Sequence, residues 1–524
     1  MSIDMTPDVL HSNHDVVVIG SGLTGSWVAH ELTRQGLNVL MLEAGPALGF
    51  AESRAPVWTD ELKDRVTIRQ GEQSRHAAFW FNGPDAFVDD LHHPYEKTGD
   101  FTWIRGRQVG GRSLTWGGVA LRHSDLEFSS RGAHGVTWPI RHVDLAEYYE
   151  EIEGFMGVEG TAADAPSLPD GRYLLPNHPM TEEEAGFASL VQSMWPERRV
   201  VQSRVIPDPR GVPSADLGAW SARTVHHSLL PSAIATGRLT IRSGVIVSHL
   251  VAMADGRVGS VSCVDATNGQ RFSVPAKNVY LSASTIESIR ILLNSASQVH
   301  PNGIGNSGGL LGKGLLDKGA VSFSGSIPGA RDRTPRPFGH GHGLLIPRFN
   351  VARDELAAER GFAITGSMQR GRNLPDGTAN WSLAAQYERE PSVGNCVELA
   401  SNTVDKWGLR TVKVTSSPSE ADAKLHEKAR GKLLEMISVA QYQIHDQGEA
   451  SPGSFVHEAG GAAMGSDSRT SVVNERNQVW DCANLYVTDG SCFVTAGWQN
   501  PSLTMMAIAL RAARMGGNRI RGVA

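Results

Sequence analysis

The stretch Asp15-Val-Val-Val-Ile19-Gly20-Ser-Gly22-Leu-Thr-Gly25 decides the fold. Its first half reads as a strand, apolar on both faces as a covered strand must be. The glycines then follow at the spacing G-x-G-x-x-G, and Leu23 to Gln35 carries a helical pattern that Gly36 stops. A second strand, Asn38 to Glu43, ends in Ala44-Gly45. Strand, helix and strand in this order make a βαβ unit. Gly20 permits its turn, Gly22 lets a pyrophosphate approach the backbone, and Gly25 lets helix and strand pack closely. The helix N-terminus presents unpaired N–H groups and partial positive charge to the phosphates. Glu43 closes the second strand with a carboxylate suited to ribose hydroxyls and hostile to a 2′-phosphate. The unit predicts dinucleotide binding and leaves NAD and FAD both open.

Outward from this unit, residues 50–100 read as an irregular excursion, and residues 105–122 are glycine-rich. Asp144 to Met156 is helical, with Asp144 as its cap. Residues 160–220 are polar and rich in proline. Arg238 to Asp265 alternates like a hairpin turning at Ala254-Asp-Gly256. Asn278 to Ser284 reads as a strand leading into a helix. Residues 320–415 hold short strand patterns and glycine turns, which predicts a largely antiparallel sheet. Residues 418–447 are helical in pattern, Asn484 to Asp489 is a strand, and Pro501 to Met515 is a closing helix that Gly516-Gly517 should end.

The chain has 524 residues, long enough for two or three domains and a buried cofactor. Its net charge of −6, with no Lys/Arg run, argues against nucleic-acid binding. It has no apolar run of about 18 residues, no basic amphipathic stretch and no signal-peptide pattern. Its four cysteines, Cys263, Cys396, Cys482 and Cys492, are scattered and form no Cys-x-x-Cys. These features predict a cytoplasmic protein with reduced thiols, no structural metal and no membrane partner.

The motifs along the chain resemble the glucose–methanol–choline (GMC) flavin oxidoreductase family, from about Asp15 to Met515. Besides the fingerprint, Glu43 and Gly45, the resemblance rests on Val109-Gly-Gly-Arg-Ser-Leu-Thr-Trp-Gly-Gly118, Trp138-Pro-Ile with Asp144-Leu-x-x-Tyr-Tyr149, and Ser282-Ala-Ser284 with Ile286 to Arg290. It continues through Asn306-Ser and Gly312-Lys. It is strongest at the end: His457-x-x-Gly460 to Gly465, Ser471 to Asn474, Asn484 to Ser491, and Asn500-Pro501-Ser-Leu-Thr504. The resemblance implies an α/β (α+β overall) fold, in which a Rossmann-like FAD domain is interleaved with a substrate domain on a largely antiparallel sheet. Residues 1–145, 238–318 and 455–524 would form the FAD domain, and 146–237 and 319–454 the substrate domain.

The same resemblance implies FAD as cofactor and oxidation of an alcohol as reaction. His457 and Asn500 occupy the family's catalytic positions. His457, which titrates near neutrality, is the expected base, and Asn500 the group that orients the hydroxyl. FAD is expected along Gly20, Gly22, Gly25, Glu43, Gly110, Gly111, Ser113, Thr115, Trp116, Val245, Asp489, Gly490, Asn500, Pro501 and Ser502. The last helix would aim its N-terminus at the pyrimidine edge of the flavin, where reduction places negative charge. Two departures stand out. The common Gly-Thr-x-Arg-Met-Gly loop is Gly460-Gly-Ala-Ala-Met-Gly465 here, without hydroxyl or guanidinium. Thr115 stands where the pyranose 2-oxidase branch links its flavin to histidine, so FAD is expected to be non-covalent, with Thr115 as a hydrogen-bonding group at flavin N5 or O4.

The Gly-Gly-x-Ser-x-x-Trp segment and the His/Asn pair look most like the branch of pyranose oxidases, glycoside 3-oxidases and sugar dehydrogenases. A secondary hydroxyl of a sugar or glycoside is therefore the expected substrate. Trp498, Gln499, Glu388 and His340 are candidates for its pocket. Asp405-Lys-Trp-Gly408 is expected to be a structural turn. Competing readings are a GMC enzyme of a non-sugar alcohol, a lyase with redox-silent FAD, an NAD-dependent dehydrogenase and a non-catalytic flavoprotein. Oxygen or another acceptor would complete the turnover. No haem or iron–sulfur motif supplies a second redox centre.

Overall fold

The computed structural model describes residues 13–49, 59–75, 84–172, 175, 179–207, 223–331, 343–350, 360–370 and 374–523. The chain opens with β1 (Val16–Ile19), α1 (Leu23–Arg34) and β2 (Val39–Leu42), then α2 (His142–Met156), α3 (Glu182–Met194) and β3 (Val201–Gln202). There follow α4 (Leu229–Ala235), β4 (Leu239–Arg242), β5 (Val279–Leu281) and α5 (Thr285–Asn294). Next come β6 (Lys318–Arg331), β7 (Leu344–Ile346), β8 (Phe362–Met368), β9 (Thr378–Glu388), α6 (Glu420–Val439) and β10 (Gln443–Glu449). The chain closes with β11 (Leu485–Val487) and α7 (Ser502–Ile520).

Two sheets organise these elements. A five-stranded parallel sheet runs β11-β5-β1-β2-β4, with Val17 opposite Val279 and Val16 opposite Val39. Both β1 and β2 are buried along their length, as strands covered on two faces should be. Helices α1 and α7 pack together on this sheet, where the Trp27 indole N–H points at the Met506 sulfur, 3.2 Å away. A six-stranded antiparallel sheet runs β10-β6-β9-β8-β7-β3. Its second core is filled by Phe323, Ile364, Trp381 and Leu383 from the sheet, Phe187 of α3, and Leu433 and Met436 of α6. The mixed fold of a Rossmann-like unit and an antiparallel sheet agrees with the expected class.

Several local expectations are corrected. Residues 50–100 are not wholly irregular: Asp60–Arg69 is a helix whose first turn is capped by the Thr59 hydroxyl. Helix α2 is capped at Arg141 rather than Asp144, which sits one turn in and accepts the Arg141 N–H at 2.7 Å. Only Val245–Ala252 and Val258–Asp265 form the hairpin, because β4 is drawn into the parallel sheet beside β2. The helix of 418–447 stops at Val439, and β10 pairs with β6 instead. Helix α7 runs through Gly516 and Gly517. A Cβ on Gly516 would strike the Tyr280 hydroxyl, and one on Gly517 the Gln35 amide, so these glycines serve close packing, not termination. The Asp405 turn is as expected: its carboxylate accepts the N–H groups of Trp407 and Leu409, and Gly408 has φ of +72°.

Burial also ties segments together across the expected division of the chain. Tyr149 and Ile152 of α2, Leu229 and Leu230 of α4, and Val397, Val412 and Val414 of the strands Cys396–Val404 and Arg410–Thr415 all belong to the core around the parallel sheet. They lie in segments assigned above to the substrate domain. Their apolar faces meet α1, α5 and α7, and burial there, not position along the chain, decides their place. Among the described residues no helix is long and apolar enough to cross a membrane.

Candidate active site

The turn after β1 is built on backbone contacts that only glycine allows. Gly20 has φ of +99°, and a Cβ on it would collide with the Ser282 carbonyl. A Cβ on Gly25 would collide with the Gly20 carbonyl, so Gly25 brings α1 against the turn. A Cβ on Gly22, in contrast, would meet nothing within 4 Å. Gly22 is also the N-cap of α1 and offers no side chain to its free N–H groups, and no acid stands in the first turn. Bare N–H groups facing open space at a helix start form an anion site.

Glu43 links this turn to the glycine-rich segment. Its Oε2 accepts the Ser21 N–H at 3.0 Å and the Ser21 hydroxyl at 2.6 Å, and its Oε1 accepts the Gly45 N–H at 2.9 Å. Burial raises the carboxyl pKa, and these donors oppose the rise. Ser21 Oγ in turn accepts the Gly110 N–H at 2.9 Å. Gly110 and Gly111 both have positive φ, which turns the chain into the short 3-10 helix Gly111–Leu114. A Cβ on Gly111 would sit 3.0 Å from Gly22 Cα, so the two loops touch backbone to backbone. Ser113 bonds the Gly110 carbonyl at 2.7 Å, and the Trp116 indole bonds the Arg223 carbonyl at 3.0 Å. The Thr115 hydroxyl donates to the Arg112 carbonyl at 3.3 Å.

A cavity of about 1030 Å³ runs from the β1–α1 turn to the end of β9. Gly20, Gly22, Glu43, Gly111, Ser113, Thr115, Trp116, Val245, Asp489, Gly490, Asn500, Pro501 and Ser502 line it. Of the residues expected to hold a cofactor, Gly25 and Gly110 stand behind the wall and shape it. Asp489 is held by Ser288 and by the N–H and hydroxyl of Ser491. Helix α7 begins at the cavity with Pro501 as N-cap, no side-chain cap and no acid in its first turn. Two bare helix N-termini thus meet the cavity, together with charged side chains that include Glu43, Arg105, Arg107, Arg112 and Asp489. The cavity's size and donors suit an extended dinucleotide carrying a pyrophosphate and an electron-rich ring.

His457 and Asn500 meet in this cavity. Asn500 Nδ2 donates to His457 Nε2 at 3.1 Å. The Asn500 side chain faces the imidazole, and Pro501 holds the cap position of α7. Burial, with the nearby Lys318 and Arg112 cations, holds the His457 imidazole well below its ordinary pKa. The ring is therefore neutral near pH 7 with a lone pair at Nε2. Val456, just before it, has φ of +61°, a strained conformation for a β-branched residue. Arg112 braces this turn by donating to the Val456 carbonyl at 3.3 Å and to Glu458 at 3.1 Å.

The substrate candidates fare differently. Trp498 is fully buried against Leu121, Leu168, Leu345 and Ala363 and does not line the cavity. Gln499 points away and donates to Glu127 at 2.9 Å and to the Ser167 carbonyl at 3.2 Å. Glu388 is buried behind the site, accepting the Ala496 N–H at 2.9 Å and pairing with Arg360 at 3.2 Å. His340 lies outside the described residues. Residues not singled out from sequence line the cavity instead: Arg112, Ser284, and, from the antiparallel sheet, Ser322, Thr365, Ser382 and Gln386. Alternation along β9 could have flagged Gln386, because it shares a strand face with Glu388.

Comparison with known proteins agrees with this geometry. Residues 391–509 match the GMC oxidoreductase family, and residues 15–57 the FAD dependent oxidoreductase family. The chain is 28% identical over 539 residues to 2-methyl-1,2-propanediol dehydrogenase of Mycolicibacterium austroafricanum, covering 95% of this chain and 94% of that protein. It is 26% identical to paromamine 6′-oxidase of Streptomyces fradiae, covering 95% and 90%. Among solved structures, pyridoxine 4-oxidase from Mesorbium loti superposes with a TM-score of 0.61 at 17% identity, over 96% of this chain and 99% of that one, a likeness of fold. Its carboxyl-terminal part is similar to the GMC oxidoreductases and its βαβ unit to the FAD dependent oxidoreductases, and the protein is an FAD-dependent oxidoreductase.

Proposed function

We propose that this enzyme oxidises an alcohol to a carbonyl, with His457 as base and Asn500 orienting the hydroxyl. The observation that carries the reading is the neutral imidazole whose Nε2 meets the Asn500 amide at 3.1 Å inside the cavity. A substrate hydroxyl entering between them gives its proton to His457 Nε2 while the Asn500 amide donates to its oxygen. The donor strengthens as negative charge grows on that oxygen. Bound FAD supplies the acceptor for the two electrons and hydrogen that leave the same carbon as hydride, and oxygen or another acceptor takes the electrons onward. We place the pyrophosphate at Gly22 and Gly111, the ribose at Glu43, and the flavin between Thr115, His457 and the start of α7. Thr115 cannot make a histidyl link, and the flavin is proposed to be non-covalent.

The substrate class is proposed as a sugar or glycoside, oxidised at a secondary hydroxyl. The antiparallel sheet and its neighbours present Ser203, Ser322, Thr365, Ser367, Ser382 and Gln386 to the cavity, hydroxyls and one amide, beside the Glu449 carboxylate. Such a surface matches a polyhydroxylated ligand, and one relative is an oxidase of paromamine. A second reading, a small non-sugar diol, is favoured by the resemblance to 2-methyl-1,2-propanediol dehydrogenase.

The test is an anaerobic visible spectrum of the purified holoenzyme with a panel of sugars, glycosides and simple diols. Bleaching by sugars or glycosides supports the reading, and bleaching by the diol alone moves the substrate to the second one. His457→Ala should keep FAD and slow bleaching by about 10²-fold or more through loss of the base. An unchanged rate in that variant would sink the assignment of His457. Acid precipitation should leave all flavin in the supernatant, and flavin that stays with the pellet contradicts non-covalent binding.

A further inference from the structure

Behind the pair lies a charge that the reading above does not use. Lys318, at the start of β6, is completely buried. Its ammonium donates to the Trp498 carbonyl at 3.1 Å and to the Gln499 carbonyl. Those carbonyls belong to the two residues that precede Asn500. The same segment is held by Glu388, which takes the Ala496 N–H, and by Glu127, which takes the Gln499 amide. In the sheet register Lys318 stands opposite Glu388.

We propose that Lys318 is a positioning residue, whose buried ammonium fixes the segment carrying Asn500 and sets a positive charge behind the His457–Asn500 pair. The proposal rests on the roles assigned above to His457 and Asn500. A buried lysine is costly unless its surroundings hold it, and three carboxylates, Glu388, Asp317 and Glu127, surround this one. Of these four groups Lys318 is the one whose charge acts on His457, adding to the effect of burial. Glu388 pairs with Arg360, Asp317 accepts the Gly453 N–H beside Arg389, and Glu127 is bonded by Ser124 and Gln499. The charged groups facing His457 are Lys318 from β6, Arg112 from the glycine-rich segment and Glu458, its neighbour, which Arg112 pairs at 3.1 Å. Burial first, and the Lys318 cation second, push the His123 imidazole down to about 3. Burial brings the Lys318 amine itself down to about 7.

Two variants separate the two effects. Lys318→Met removes both donor and charge, and Lys318→Gln keeps an N–H donor without charge. In the FAD-loaded Met variant, anaerobic flavin reduction should slow by about 10–10²-fold, the scale of a misplaced reacting group. The Gln variant should recover much of that loss. In both, the acid limb of the reduction rate should move to higher pH, because the cation that disfavours imidazolium is gone. A Met variant with normal FAD content, a rate within about twofold and an unmoved limb overturns the proposal. Should neither variant fold, the parent holoenzyme decides. With ¹⁵N-histidine labelling, and the His457 resonance assigned by its loss in His457→Gln, the ring should stay neutral through pH 5. Protonation near the ordinary value of about 6.5 overturns the proposal. These readouts are distinct from the His457→Ala test, whose failure would instead remove the base itself.

Discussion

Asn500 and His457, 43 positions apart in sequence, meet side chain to side chain at 3.1 Å, with the amide as donor and imidazole Nε2 as acceptor. This contact fixes both partners before substrate arrives, and it fixes the tautomer, because a ring that accepts at Nε2 carries its proton at Nδ1. Replacing the amide by alanine removes the donor proposed to meet the developing alkoxide. Asn500→Ala should retain FAD and lower the anaerobic reduction rate by about 10²–10³-fold, the scale of losing one oxyanion donor. Asn500→Asp should move the acid limb of the pH–rate profile upward, because a carboxylate beside the ring favours imidazolium. Stopped-flow reduction reads both, and a rate for the alanine variant within about threefold of the parent would exclude this role.

The fingerprint glycines divide by what surrounds them. A methyl group on Gly22 enters open space, while one on Gly25 runs into the Gly20 carbonyl and comes within 3.3 Å of Ser282 Cβ. Gly22→Ala should therefore fold with the thermal midpoint of the parent apoprotein and lose FAD, because its methyl enters the space proposed for the pyrophosphate. Gly25→Ala should lower the midpoint of the apoprotein itself. Differential scanning fluorimetry of cofactor-stripped protein, with and without added FAD, separates the two. Equal midpoints for both variants would contradict the division.

What the sequence makes legible follows from how local each signal is. The βαβ unit can be read because strand, glycine turn and helix are contiguous and each glycine has its own steric reason. His457 and Asn500 can be read only through the resemblance of the whole carboxyl-terminal region, because nothing local brings them together. Lys318 escapes notice because a lysine at a strand start is normally solvated, and only the fold buries it under residues 498 and 499. The Gly516-Gly517 pair misleads for a related reason. Its local meaning is a helix stop, but Tyr280 and Gln35 from neighbouring elements require the missing side chains.

Trp498 shows the same limit, and it yields a prediction. Its nearness to Asn500 in sequence suggested a pocket wall, yet the indole packs into a buried cluster with Leu121 and Leu345. Its Nε1 has no partner among the described residues, so no hydrogen bond is lost when the indole goes. Trp498→Phe should cost about 0.5–3 kcal/mol of stability through lost packing and leave KM for the alcohol unchanged. Steady-state kinetics beside a thermal melt reads both quantities. A KM raised by an order of magnitude with the melt unchanged would return Trp498 to the pocket wall.

Acid sensitivity provides the last test. His123 is fully buried between Phe128 and Phe493, its ring nitrogens without partners among the described residues. Burial, helped by the Lys318 cation, pushes its pKa down to about 3. In the unfolded chain the same ring titrates near its ordinary value of about 6.5. Above that value neither state binds the proton, and His123 adds no pH dependence. Between about 6.5 and 3 only the unfolded chain binds it, so stability falls as pH falls, by about 1.4 kcal/mol per unit for one proton. His123→Phe removes this proton from the balance. Relative to the parent, the variant should therefore gain about 2 kcal/mol between pH 7.5 and pH 5, read as a narrowing or reversal of the difference in melting temperature. A difference that stays constant across that range would mean that the ring is protonated in the folded protein, and that burial and Lys318 do not hold it neutral.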